Sequence, residues 1–326
     1  MLASTSAVAF LAGGASGALA QAQAPDATAS ASADAAKPAL EEIVVTGERN
    51  NKYGTDVVQA GSFRGAKTLD TPLTVSVITS AVLKSQQAID LIDALRNTAG
   101  VTSSSGSPAV YNNLNIRGIT VDTRSNFKLD GSLNALSSVA FPLEDKDRVE
   151  VLKGASALYY GFSNPSGIVN MTMKRPTENM LLNVTEFGDS HGGAGGAVDF
   201  GDTWQTGIGR FGARINGVYA DQDLGIKYVK GHRYLIAGAF DYKPTSKLTL
   251  TMDVERFEKD IVEPASFRYT TLPTSTPANP YPKIVIPPLR NPKDNFGPNW
   301  ATNDASETNL LGKANYKISS AWNLSA

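Results

Sequence analysis

The sequence contains no cysteine and only two histidines, His191 and His232, in 326 residues. Zinc sites built from Cys and His, iron–sulfur clusters and thiol chemistry therefore have no ligands to draw on. Charge of one sign is also lacking, since 30 Lys and Arg stand against 31 Asp and Glu. Without a basic excess, nucleic acid is not an expected partner. Nowhere does the chain offer the roughly 18 to 20 uninterrupted apolar residues that a membrane-spanning helix needs, which leaves a membrane barrel of strands open. Catalytic signatures are missing too. Gly154 to Gly161 is not followed by the Lys-Ser/Thr of a phosphate loop, and there is no G-x-S-x-G elbow or paired-His metal motif. The Gly-rich run at Gly192 lacks a preceding buried parallel strand and reads as a corner between strand and loop. No enzymatic activity, cofactor or metal is expected.

What is present suits a turn-rich β protein: 29 Gly, 17 Pro, 12 Phe and 11 Tyr in a chain that is 41% hydrophobic. Ala7 to Ala20 is apolar and small, with small-x-small cleavage positions after Ala20 and Ala22, so residues 1–22 resemble a secretory signal peptide despite the absence of Lys or Arg from Met1 to Phe10. Residues 23–65 read as a flexible segment, richest in Ala, Ser and Asp from Gln23 to Leu40. One β-prone run, Glu41-Glu42-Ile43-Val44-Val45-Thr46-Gly47, interrupts it. In isolation that run is a short edge strand.

The stretch Asp147 to Pro176 reads as strand, tight helical turn and strand. Val149 and Val151 alternate with Arg148, Glu150 and Leu152, and Val169, Met171 and Met173 alternate with Asn170, Thr172 and Lys174, the period of half-buried strands. Gly154 and Gly161 bracket a short helix former, and Asn164-Pro165-Ser166-Gly167 turns the chain back. Upstream, Val75, Val77 and Thr79 predict a strand, Ser80 an N-cap, and Ile89, Ile92 and Leu95 one helical face ended by Gly100. Leu114 to Gly118 and Phe127 to Gly131 predict two more strands.

The order of these landmarks is similar to the plug domain of TonB-dependent outer-membrane receptors. The resemblance rests on Val149 to Gly154, Tyr159 to Gly161, Pro165 to Asn170 and Lys174 to Pro176, together with Arg117-Gly118 and Leu129-Asp130-Gly131. Ala155 stands where the family usually has Pro, and Ser166 replaces the first Gly of the second turn. The resemblance covers about 110 consecutive residues and implies a plug at 66–176, with Glu41 to Gly47 as a TonB box that adds a strand to a partner's sheet edge. It also assigns Arg117 and Arg148 to contacts between plug and barrel.

After Pro176 amphipathic alternation takes over. It is cleanest in Leu248 to Glu255 and recurs in Phe211 to Tyr219, Tyr234 to Tyr242 and Leu310 to Ile318, with weaker candidates at Leu181 to Phe187 and Ala194 to Gly201 and a start at Trp322. A soluble β-sandwich would alternate in the same way. The connections favour a barrel, because short turns at Asp202 to Gly207, Lys243 to Lys247 and Ser319 to Ala321 alternate with longer loops at Asp221 to Arg233 and Lys259 to Ala305. The expected fold is an α+β plug followed by an antiparallel transmembrane β-barrel at 177–326. Only about seven strands can be placed there, against about 22 in a plugged receptor barrel, so the chain is expected to be part of a longer transporter with an incomplete, curled sheet.

The function this resemblance implies is TonB-dependent import of a ferric siderophore across the cell outer membrane. The implied partners are TonB of the TonB–ExbB–ExbD complex, the siderophore and outer-membrane lipid. Uptake of cobalamin, haem or oligosaccharide, a passive porin or adhesin, and a periplasmic binding module are the competing readings. Candidate ligand contacts, chosen by residue type and loop position, are Tyr111, Arg124 and Asn134 on the plug apex and Arg268, Tyr269 and Trp300 in the long loop.

Overall fold

The computed structural model describes residues 53–55, 57–58, 66–104, 111–135, 141–154, 163–265, 275–281, 291–319 and 322–326. All of them belong to one compact unit, Glu48–Ala326. Residues 1–22 and 41–47, expected to be a signal peptide and a TonB box, the helical turn expected between Gly154 and Gly161, and Arg268 and Tyr269 lie outside the described residues.

A mixed domain comes first. Strand β1 (Val57–Val58) pairs antiparallel with β2 (Ala66–Lys67). Then follow β3 (Thr74–Thr79), α1 (Ser80–Ser85), α2 (Leu91–Leu95), β4 (Val101–Ser103), β5 (Leu114–Ile116), β6 (Ile119–Thr120), β7 (Phe127–Leu129), β8 (Leu133–Asn134), β9 (Lys146–Lys153) and β10 (Gly167–Met173). The main sheet has the order β3-β9-β10-β7-β8, with β10 and β7 parallel, and β4, β5 and β6 form a second small sheet. Because β9 sits inside the main sheet, every residue from Val149 to Lys153 is buried, where alternation had suggested a half-buried strand. Val149 and Val151 enter the main core with Phe127, Leu114 and Met171. Leu152 points the other way, against Ile168 and Val58. Burial of Val58 ties residues 57–58 to the domain, so the segment expected to be flexible up to residue 65 already contains structure. Glu150 is accommodated in this interior because Asn170 Nδ2 donates to it at 3.2 Å.

The single helical pattern expected after Ser80 is divided in two. Gln87 adopts φ 50°, a left-handed conformation that no helix continues through, and each piece carries its own cap. Thr79, one residue before the expected Ser80, accepts from the Val82 N–H at 3.5 Å, and Asp90 accepts from the Asp93 N–H at 2.9 Å.

The second sheet is built from β11 (Leu181–Gly188), β12 (Ala194–Thr206), β13 (Gly209–Asp223), β14 (Lys230–Lys243), β15 (Leu248–Val262), β16 (Thr302–Lys317) and β17 (Asn323–Ser325). They lie in sequence order, each antiparallel to the next. Among the described residues no pairing joins β11 to β17, as expected for an incomplete barrel. The strands run longer than alternation indicated. β15 continues to Val262 and β16 begins at Thr302, shortening the expected loop from both sides. Thr302 to Asn309 carries a single apolar residue, Ala305, so no apolar alternation marked it as a strand.

The burial of this sheet is inverted relative to a soluble sandwich. Its exposed face carries Leu182, Val184, Val198, Ile215, Ile236, Phe240, Met252 and Leu310, whereas the covered face buries Asp199, Asn216, Arg233, Asp253, Glu255 and Lys259. Water gives no reason to expose the first set and hide the second. Lipid on one side and a polar filling on the other give that reason. Trp204, Tyr316 and Trp322 lie on or beside the tight-turn ends and Tyr219 near the long-loop end, where amphipathic rings meet the membrane–water boundary.

Gly167 shows how tightly the mixed domain is closed. Its φ is 134°, and a Cβ there would stand 2.2 Å from the Leu152 carbonyl oxygen. Gly167→Ala is expected to cost the mixed domain about 3 kcal/mol or more through backbone strain and displacement of β9, read as a lowered calorimetric transition. A transition within a degree of wild type would contradict the packing.

Candidate functional site: the seam between the mixed domain and the large sheet

Period-two geometry sends Asp199, Arg214, Asn216, Arg233, Asp241, Asp253, Glu255, Lys259 and Lys313 to the inner face of the large sheet. The mixed domain meets them with opposite charge. Lys146, at the start of β9, pairs with Glu255 on β15 and with its own neighbour Asp145 at 2.7 Å, all three essentially buried. Lys174, just past β10, reaches Asp199 at 2.9 Å, and Asp199 also takes a two-pronged contact from Arg214 at 2.8 Å on each prong. The next residue, Arg175, bridges Asp241 on β14 at 2.5 Å and Asp253 on β15. Arg233 pairs with Glu144. Lys313 reaches the Asp130 carboxylate at 2.9 Å and its backbone oxygen at 3.0 Å.

An apolar patch interrupts these charges. Val218, Leu235, Ala237 and Phe257 of the sheet join the core of the mixed domain. At the long-loop end Tyr111 packs with Val229 and Ile261, and its hydroxyl accepts from Asn303 at 3.3 Å.

Titration follows this geometry. Burial pushes the Asp145 carboxyl well above its usual range, with Lys146 opposing and Glu255 reinforcing the shift. Burial would lower the Lys146 ammonium, but the two carboxylates beside it leave it raised and charged. Glu144 would also be raised by burial, and the Arg233 guanidinium instead holds it below the usual carboxylate range. Asp90 is pushed up to about 6, chiefly by burial, partly offset by its cap bond to Asp93 and by the charge of Lys259.

The residues named from sequence fall differently. Arg117, at φ 52°, donates to Thr74 Oγ1 at 3.1 Å, and Arg148 pairs with Asp147 at 3.0 Å. Both bonds stay inside the mixed domain, so among the described residues the charged seam is made by other side chains. The Lys174-Arg175-Pro176 exit and the acids at inward positions of alternating strands were the signal that could have found them. Tyr111 and Trp300 both lie near the long-loop end of β16, and Trp300 is exposed. Arg124 is exposed in the turn before β7. Asn134 pairs with Lys128, two residues from Asp130, and Asp130 meets Lys313 ten residues along β16 from Asn303, which is about 33 Å. Asn134 is therefore near the tight-turn end and is not brought together with Tyr111.

Residues 67–168 match the family model described as TonB-dependent Receptor Plug Domain. Among curated proteins, the chain is 29% identical over 68% of its length to the ferrichrome outer membrane transporter/phage receptor of Escherichia coli K12, and 31% identical over 52% of its length to the catecholate siderophore receptor Fiu of the same strain. It covers 30% and 22% of those two proteins, so it spans at most about a third of their length. The solved structure of BauA, the ferric preacinetobactin receptor of Acinetobacter baumannii, superposes with a TM-score of 0.71 at 21% identity, over 82% of this chain and 39% of that one.

Two outcomes follow for the protein. Lys146→Met leaves Glu255 and Asp145 buried without their cation, which should cost about 3–5 kcal/mol and raise passive leak of small solutes in proteoliposomes; unchanged leak would show that the pair does not hold the seam. Because the folded pKa of Asp90 is raised from 3.8 to about 6, its contribution to stability is fully present below the lower value and lost as pH rises through the upper one. Asp90→Asn keeps a cap acceptor and should remove that slope in pH-dependent calorimetry, whereas a slope identical to wild type would place the titration elsewhere.

Proposed function

We propose that this chain, which carries the plug domain of a TonB-dependent receptor and seven strands of its antiparallel barrel, serves the active import of a ferric siderophore across the outer membrane. The observation that carries this reading is the inverted sheet, apolar where exposed and charged where covered, with a separately folded domain paired to the charged wall. A passive pore has no use for such a filling, and a periplasmic binding module has no use for the apolar exterior. The names of the relatives, receptors for ferrichrome and for catecholate siderophores, support a ferric siderophore over other cargo.

In this account the ligand binds from the long-loop side, where Tyr111 and Trp300 sit, with Arg124, Arg268 and Tyr269 as further contacts to be tested individually. Ile43, Val44 and Val45 of the TonB box lend their backbone to a sheet edge of TonB, and pulling on that segment displaces part of the plug. Resistance to the pull comes from charge pairs, which water can solvate once they separate. A fully apolar seam would oppose opening with its whole buried area.

The test is uptake by cells carrying the complete gene, supplied with a panel of iron-loaded siderophores. Val44→Pro removes a backbone donor and resists strand addition, so uptake should disappear while ligand binding at the cell surface persists. Normal uptake by that variant would contradict the assignment of the box, and uptake of no siderophore by wild type would contradict the cargo.

A further inference from the structure

The loop between β13 and β14, Leu224 to Val229, has two sides. Its inner side is apolar: Leu224 and Ile226 are half-buried and Val229 is fully buried, packed with Ile261 of β15 and with Tyr111 of the mixed domain. Its outer side carries Lys227 and Tyr228, the ammonium 5.2 Å from the centre of the exposed ring. The loop closes on itself, with the Leu224 N–H donating to the Val229 carbonyl at 3.2 Å and the Val229 N–H to that of Ile226 at 2.9 Å. The Lys227 N–H donates to the Lys293 carbonyl at 2.7 Å, which ties the loop to the segment that precedes β16. Register sets the floor beneath Tyr111. Ile261 stands opposite Gly231 on β14 and Asn303 on β16, so the three share one row of the inner face. Gly231 adds no side chain to that row, Ile261 gives the ring an apolar seat, and Asn303 Nδ2 donates to the hydroxyl at 3.3 Å.

Two features mark this contact as one built to open. Asn303 Oδ1 is buried with no donor, a costly state that water relieves on separation. Tyr228 holds φ 67°, a left-handed conformation that a bulky residue keeps only under constraint, and the loop relaxes from it when its inner side lifts. On the other side of the contact, Tyr111 leads directly into β5. The Ser104 N–H donates to the Asn113 carbonyl at 2.9 Å, and the Val121 N–H to that of Leu114 at 2.8 Å. A displacement of Tyr111 is therefore passed to the small sheet of β4, β5 and β6.

We propose that Tyr111 is a two-way latch between the external loop 224–229 and the apex of the plug. Lifting the loop from outside loosens β4 to β6, and displacing the plug from inside frees the loop, because coupling between two sites is reciprocal. A ligand that pushes on Lys227 and Tyr228, or that takes the Tyr111 ring for itself, opens the latch. The inference deepens the importer reading and rests on it for its purpose, whereas the coupling itself requires neither ligand nor TonB.

Hydrogen exchange read by mass spectrometry, on the protein in detergent micelles without iron, siderophore or TonB, follows both sides at once. In the wild type, peptides holding Leu224 and Val229 and peptides holding Ser104 and Val121 should open as one unit, with the same dependence on low concentrations of denaturant. Val229→Ala changes only the loop and should speed exchange at Ser104 and Val121 by on the order of tenfold. Tyr111→Ala changes only the plug and should speed exchange at Leu224 and Val229 at least as much. The double variant should add little to either, since both substitutions remove the same contact, and β9 and β10 should keep wild-type protection throughout. Separate openings in the wild type would overturn the proposal. So would a substitution whose effect stays on its own side, effects that simply add in the double variant, or faster exchange that extends to β9 and β10. The wild-type measurement decides even if a variant fails to assemble. Absence of siderophore uptake would contradict the importer reading and leave this result untouched, and absence of coupling would leave the importer reading standing.

Discussion

A sheet that turns its apolar side outward must find a filling for the other side, and here that filling is charge against charge. Asp199, Asp253 and Glu255 could not be buried on the inner wall unless cations met them, and Lys146, Lys174 and Arg175 arrive from the ends of two adjacent strands of one small domain. The fold of that domain serves this meeting. β9 and β10 pair back to back, and their register places Lys146 opposite Met173, so the three cations emerge together at one end of the hairpin. Val149, Val151 and Met171 hold the rest of the hairpin rigid in the core.

Such a seam is specific without being permanent. A buried ion pair adds little net stability over an apolar contact of equal size, yet removing one partner is expensive. Misplacement by one register step would strand several charges at once, which fixes the domain in one position. Separation under load exposes groups that water solvates well. The apolar patch around Leu235 and Phe257 is small beside the charged contacts and continues the domain's own core, so it aligns the two parts more than it fastens them.

Much of this was legible in the residue order. The β9 and β10 hairpin, its Gly167 turn and the seven amphipathic strands stand where alternation and turn chemistry put them. Three things were not legible, each for a physical reason. Continuous burial of β9 depends on strands on both sides of it, which period two cannot report. Thr302 to Asn309 is a strand with one apolar residue, Ala305, so no alternation in its pattern distinguishes it from loop. The partners of Lys146 and Arg175 on the large sheet are more than 60 residues away along the chain, and sequence shows that a charge faces inward without showing which charge it faces. Arg117 and Arg148 illustrate the same gap, since their local bonds to Thr74 and Asp147 depend on packing inside the domain.

The most direct test of the charged seam is an exchange of one pair. In the protein held in planar bilayers, Lys146→Glu and Glu255→Lys each place like charges together in a buried site, and each should raise passive conductance. The double variant restores opposite charges across the same contact and should return conductance most of the way to wild type. A double variant as leaky as either single one, or single variants as tight as wild type, would show that attraction between these charges is not what holds the two parts together.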